Sequence, residues 1–235
     1  FDCGKANPKA LKKWPPAGVR SRLLKKMAAR RGTLALARGL VNYVHIPPQT
    51  AAVSSPPLVL FGGTAQTINS LVGHHGPLSS GGSGGLLQYE LRGQGITTTL
   101  PLDDCSLKRH VEDFEEVVRE LFPENSVFDL CGFSFGGRVS LAIAAEIPAR
   151  VRRIVATGVP AHRGAEGQKI LKKWQTSLDI GDLETFMWQS MSDGFGEKFL
   201  ARHERRLDSW VQSAVGGNRA EAIAALVRHT HTDDL

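Results

Sequence analysis

Cysteine is scarce in this 235-residue chain: Cys3, Cys105 and Cys131 are the only three, an odd number without CxxC spacing. That excludes a disulfide framework and a cysteine-built structural zinc site, and it fits an intracellular, reducing compartment. No apolar run approaches the ~18 residues that span a bilayer. The Gly-rich stretch "SSGGSGG" (79–85) lacks the Lys-Ser/Thr of a phosphate-binding loop and follows no strand, so phosphate binding is excluded there. Internal repeats are also lacking. Hydrophobic content of 41% and charged content of 22% leave an ordinary globular protein, long enough for one α/β domain.

Acidic residues are nearly missing from one end. Residues 1–38 hold eleven Lys/Arg and one acid, Asp2, for a net charge of +10, whereas the rest of the chain carries −4. The basic character therefore belongs to an N-terminal extension (1–38). A solvated basic arm is the first reading of it, and an organelle-targeting segment rich in Arg and Ala is the second. A nucleic-acid-binding arm is third, because nothing aromatic beyond Trp14 interleaves the charges and no binding module is present.

From residue 39 to 160 strands and helices alternate. "LVNYVHI" (40–46), "PLVLFGG" (57–63), "LLQYEL" (86–91), "SVFDLCG" (126–132) and "VRRIVATGV" (151–159) read as strands, with helices predicted over 66–75, 107–121 and 135–147. Leu107, Val111, Phe114, Val118 and Leu121 recur at helical spacing, and Pro123 ends that helix. Repeated β-α-β alternation predicts an α/β fold with a doubly wound, mainly parallel sheet. Residues 161–235 hold helical patterns with no strand between them, as expected of a helical cap.

One stretch carries chemistry. "CGFSFGGRVSLAIAAEIPARV" (131–151) places Gly132-x-Ser134-x-Gly136 between a buried strand and a small-residue helix. Glycines flank the serine because the sharp strand-to-helix turn strains the backbone and brings the two elements close. At a helix N-terminus, unpaired N–H groups stabilise developing negative charge. A serine nucleophile also needs a second N–H donor nearby, and "LVLFGGTAQTINSL" (58–71) closes a strand with Gly62-Gly63-Thr64, where main chain can approach.

In this order of elements the chain resembles the α/β-hydrolase superfamily, specifically its small esterase, lipase and C–C-hydrolase branch with a helical cap. The resemblance spans about residues 40–229. "FGGT" is similar to the family's His-Gly-x oxyanion segment, "ELRGQG" to its Asp-x-Arg-Gly-His-Gly-x-Ser, and "GFSFGG" to its nucleophile elbow. It implies Ser134 as nucleophile, with the backbone N–H groups of Phe135 and Thr64 as the oxyanion hole. Gly62, Glu90 and Gln94 depart from the pattern, standing where the family has His, Asp and His. The resemblance implies a small-molecule ester or related acyl substrate, and it implies no metal and no organic cofactor. C–C bond hydrolysis and lyase reactions use the same nucleophile position.

A serine needs a base held by an acid, and in this family both follow the cap in the order Ser, Asp or Glu, His. Nothing follows the cap here, and the chain begins with Phe1, so the sequence reads as incomplete, with the base expected beyond Leu235. His162 lies at the entry to the cap, and His203 and Glu204 read as a solvated helix face. His229, His231, Asp233 and Asp234 read as a helix end running into a loop, and His74-His75 as a surface turn. Trp174, Phe186, Trp188 and Trp210 read as cap core before pocket lining. The rival function is a catalytically inactive binding or interaction protein on the same fold. A basic-arm nucleic-acid binder comes third.

Overall fold

The apolar run after Pro56-Pro57 becomes a short strand whose alternate residues enter two cores, the pattern expected at the centre of a parallel sheet. A computed structural model describes residues 29–48, 55–80, 84–95, 98–160 and 163–230. In chain order these form β1 (Arg30–Leu36), β2 (Gly39–Ile46), β3 (Leu58–Phe61), α1 (Ile68–Ser80), β4 (Leu86–Tyr89) and α2 (Leu107–Leu121). There follow β5 (Phe128–Phe133), α3 (Phe135–Glu146), β6 (Val151–Thr157), α4 (Ala165–Asp179), α5 (Leu183–Gly194), α6 (Glu197–Val215) and α7 (Ala220–Thr230). The sheet runs β1-β2-β4-β3-β5-β6; β4, β3, β5 and β6 are parallel, and β1 and β2 are antiparallel additions at one edge.

Period-two alternation explains the two layers. Val59, Phe61 and Leu130 face α2 and α3 and pack with Val111, Phe114, Val139 and Ile143. Leu60 and Cys131 face the other way, onto Ile68, Leu71 and Val72 of α1. Helices thus cover both faces, and Cys131 is a core thiol. Helix α2 keeps its predicted limits, with Ser106 accepting the Arg109 N–H as an N-cap.

The helical segment forms a core of its own, with Leu171, Leu178, Phe186, Met187, Val211, Ile223 and Val227 packed together. Ala65, in the loop after β3, is part of that core, so the cap lies over the carboxyl edge of the sheet where the site residues cluster. Helix α7 belongs to both layers: Ile223 and Val227 face the cap, while Ala225 and Leu226 join the sheet core.

The basic N-terminal extension needs a correction. Residues 30–36, assigned by charge to the segment 1–38, are β1, paired with β2 from Arg30↔His45 to Leu36↔Gly39. Its sequence, RRGTLAL, hid it, because an edge strand tolerates exposed arginines and a glycine. The Tyr43 ring lies over Gly32, 3.3 Å from where a Cβ would sit, and fills the gap that the glycine leaves. The core layer therefore starts before residue 39. Residues 1–28 of the basic segment lie outside the described residues. So do His162, His231, Asp233 and Asp234. Among the described residues, no helix is long and apolar enough to cross a membrane.

Candidate active site

Ser134 stands between β5 and α3 with φ 49° and ψ −116°, a conformation that side-chain-bearing residues avoid. Hydrogen bonds hold it there. Its N–H donates to Thr157 O of β6 at 2.8 Å, and its carbonyl accepts from the N–H groups of Gly137 (3.0 Å) and Arg138 (3.2 Å). The side chain is exposed. Glycine is obligatory around it: a Cβ on Gly132 would lie 2.3 Å from Gly136 O, and one on Gly136 would lie 2.5 Å from Gly62 O.

Phe135 opens α3, where an N–H has no acceptor one turn back. Its ring is buried and meets the His110 ring edge-on at 5.1 Å, which anchors the helix start. The second predicted donor lies in the turn Gly63–Gln66, closed by Gln66 N–H to Gly63 O at 3.0 Å. The Gln66 side-chain oxygen accepts the Gly63 N–H at 2.7 Å. Gly63's donor is therefore taken, and the Thr64 N–H has no acceptor among the described residues. The loop adjoins the serine, since a Cβ on Gly63 would sit 3.2 Å from Ser134 Cβ. Both predicted donors thus lie on the two backbone segments that flank Ser134.

The three departures from the family pattern have local accounts. Gly62 lies so close to Gln66 that a Cβ would approach its Cβ to 2.9 Å. Glu90 is buried, receives the Asn42 amide at 3.3 Å, and has its pKa raised by that burial. Gln94 is buried with neither amide atom bonded among the described residues. Arg92, which matches the pattern, makes a bidentate pair with Asp113 of α2 at 2.6 and 2.9 Å and donates to Pro101 O at 2.6 Å. The loop after β4 is pinned to the sheet layer by that buried fork.

No imidazole hydrogen-bonds Ser134 among the described residues. His110 is fully buried behind Phe135, neither ring nitrogen has a partner among the described residues, and burial pushes its pKa down to about 3. His75 is not in a surface turn: it is buried within α1, 2.5 Å from Gln88 Oε1, with its pKa lowered by burial to about 4. The apolar spacing around His75 on a helix that covers a sheet face was the signal for burial. His203 meets the rings of Phe199 and Trp210 on α6 at a tilt, and its Nδ1 is 2.8 Å from Phe199 O. His229, at the end of α7, is close enough to Asp104 and His110 to contribute to the lowering of both of their pKa values. Trp174 packs edge-on to the buried Phe186, as cap core. No group of three metal-ligating side chains occurs among the described residues.

Two residues escaped the sequence reading. Gln66 orders the turn beside the serine, and Asn218, between α6 and α7, reaches that same turn from the cap. Short polar side chains in loops carry no periodicity, and their partners lie far away in sequence.

Known structures share this architecture. An alpha/beta hydrolase enzyme from a Medee basin deep-sea metagenome library superposes with a TM-score of 0.74 at 17% identity, over 86% of this chain and 73% of that one. The enol-lactonase of Burkholderia xenovorans does so at 0.73 and 16%, over 87% and 75%. A thermophilic esterase from Thermogutta terrifontis gives 0.69 and 15%, over 87% and 73%. At these identities the likeness is one of fold. No curated protein matches the sequence. The profile of the alpha/beta hydrolase fold matches residues 86–216, more than half of the chain and all of the elbow. With that match joined to the strand order and the strained serine turn, the chain belongs to the alpha/beta hydrolase fold family.

Proposed function

We propose that the protein is a serine hydrolase acting on a small-molecule ester or related acyl substrate. The observation that carries the reading is the conformation of Ser134, a strained backbone that presents an exposed hydroxyl at a helix N-terminus. A fold stores strain of this kind where a side chain must be held at a reacting centre. Similar folds belong to an esterase and an enol-lactonase, which puts ester-type substrates first.

In this reading Ser134 Oγ attacks the carbonyl carbon and its proton passes to a general base. The carbonyl oxygen becomes an oxyanion held by the Phe135 and Thr64 N–H groups. Collapse expels the alcohol, which takes a proton, and leaves an acyl-serine. Water then cleaves the acyl-serine by the same route in reverse roles. Every step is acid–base and nucleophilic, so no metal or cofactor enters. The base must be an imidazole within hydrogen-bond reach of Oγ.

The rival is an inactive binding protein of the same fold, favoured by the lack of an imidazole on Ser134 among the described residues. A fluorophosphonate probe separates the two. Labelling of the full-length protein that maps to the Ser134 peptide and vanishes in Ser134→Ala supports the hydrolase. A folded full-length protein that never labels belongs to the rival.

A further inference from the structure

Asn218 joins the cap to the turn that holds Thr64. Its side chain is buried at 7% exposure, and both of its ends are used. Nδ2 donates to Ala65 O at 3.0 Å and to Ala214 O at 2.9 Å, while Oδ1 accepts the Gly95 N–H at 2.9 Å. One amide thus ties the end of α6 to the loop after β3 and the loop after β4. Its neighbours reinforce the junction. A Cβ on Gly217 would lie 3.5 Å from Thr67 Cγ2, and Arg219 donates to Thr98 O at 3.1 Å.

The turn it grips is under tension. Among the described residues only Ala65 and Ser134 have positive φ without being glycine, at 61° and 49°. In the turn Gly63–Gln66, Ala65 occupies the third position, with Thr64 before it at negative φ. That is the type II arrangement, which ordinarily demands glycine or asparagine at this place. Left to itself, an alanine there favours the flipped peptide of a type I turn. The flip would turn over the Thr64–Ala65 peptide, and the chain is fixed on both sides of it: the Asn218 amide holds Ala65 O after it, the Gln66 side chain holds the Gly63 N–H before it, and Ala65 is packed in the cap core.

We propose that Asn218 is a positioning residue for the oxyanion hole, holding the Thr64 donor through Ala65 and coupling its geometry to the cap. The proposal rests on the hydrolase reading. It assigns Asn218 no contact with substrate; it acts on the turn that makes the contact.

The test is turnover of p-nitrophenyl butyrate by the full-length protein, with active sites counted by fluorophosphonate titration. Per titrated site, Asn218→Ala lowers kcat by about 10- to 100-fold, in the range of a misplaced oxyanion donor, and leaves KM within about twofold. Introducing Ala65→Gly into that variant recovers part of kcat, because glycine holds positive φ without the clamp. Asn218→Asp, which keeps an acceptor for Gly95 but loses the donor to Ala65, falls as far as alanine. Unchanged kcat per titrated site in Asn218→Ala overturns the proposal, as does a rise in KM alone. If Asn218→Ala does not fold, Asn218→Asp decides by the same criteria. A wild-type protein that neither labels nor turns over defeats the hydrolase reading itself, and the proposal with it.

Discussion

Replacing Ser134 by glycine and, separately, by alanine sets strain apart from chemistry. Both changes remove the hydroxyl, so both abolish probe labelling. They differ in the backbone. At φ 49° and ψ −116° a residue with a Cβ costs about 1–3 kcal/mol, and alanine retains that cost. Glycine escapes it, but its freer unfolded chain takes back about 0.4–1 kcal/mol. The difference is about 1 kcal/mol in favour of glycine. Burial does not enter, since the side chain is exposed. For a domain of this size, 1 kcal/mol moves Tm by about 2–4 °C. Thermal melts followed by circular dichroism should therefore show Ser134→Gly melting about 2–4 °C above Ser134→Ala. An alanine variant as stable as the glycine variant, or more so, would refute the claim that the fold stores strain at this residue.

Gly136→Ala should lose roughly 3 kcal/mol or more in urea unfolding, because the added Cβ meets backbone oxygens of Phe61 and Gly62 at 2.6 and 2.5 Å. Asp113→Ala leaves the Arg92 guanidinium buried without its carboxylate and should cost about 3–5 kcal/mol, whereas Arg92→Met with Asp113→Leu should recover most of it. The buried His75 and His110 have folded pKa values of about 4 and about 3, below the unfolded value near 6.5. The unfolded chain therefore binds protons first, and stability is full above about pH 6.5 and declines as pH falls towards the folded values. Between pH 7 and pH 5 each histidine should remove about 2 kcal/mol. The raised carboxyl of Glu90 works in the opposite direction, so the comparison of interest is the slope of the wild type against His110→Gln, which should be shallower.

Local signals carried most of the fold into the sequence. Helix α2 has an apolar face at helical spacing, a serine cap and a proline stop, and all of these act within a few residues of one another. The elbow was legible for the same reason: Gly132, Ser134 and Gly136 solve a steric problem inside five residues. β1 was obscured because an edge strand with two arginines and a glycine has neither the alternation nor the burial of a central one. The clamp was obscured by distance, since Asn218 meets partners 123 and 153 residues away. His75 was read as part of a surface turn and His110 was not singled out, yet a helix covering a sheet face buries whatever lies on its inner stripe. Buried side chains that meet across loops obey geometry rather than spacing, and no window along the chain contains them.

The strand order has a consequence for the growing chain. β1 and β2 are joined by a two-residue turn and can close as soon as they are made. β3 cannot, because its neighbours, β4 and β5, both come later in the sequence. At ribosomal rates of ~5–20 residues per second, the roughly seventy residues between Phe61 and Phe133 take on the order of several seconds to emerge. For that interval the most apolar strand of the sheet has an unpaired backbone edge. The proline pair before it and the two glycines after it leave only four residues, Leu58 to Phe61, that a stranger's strand could copy.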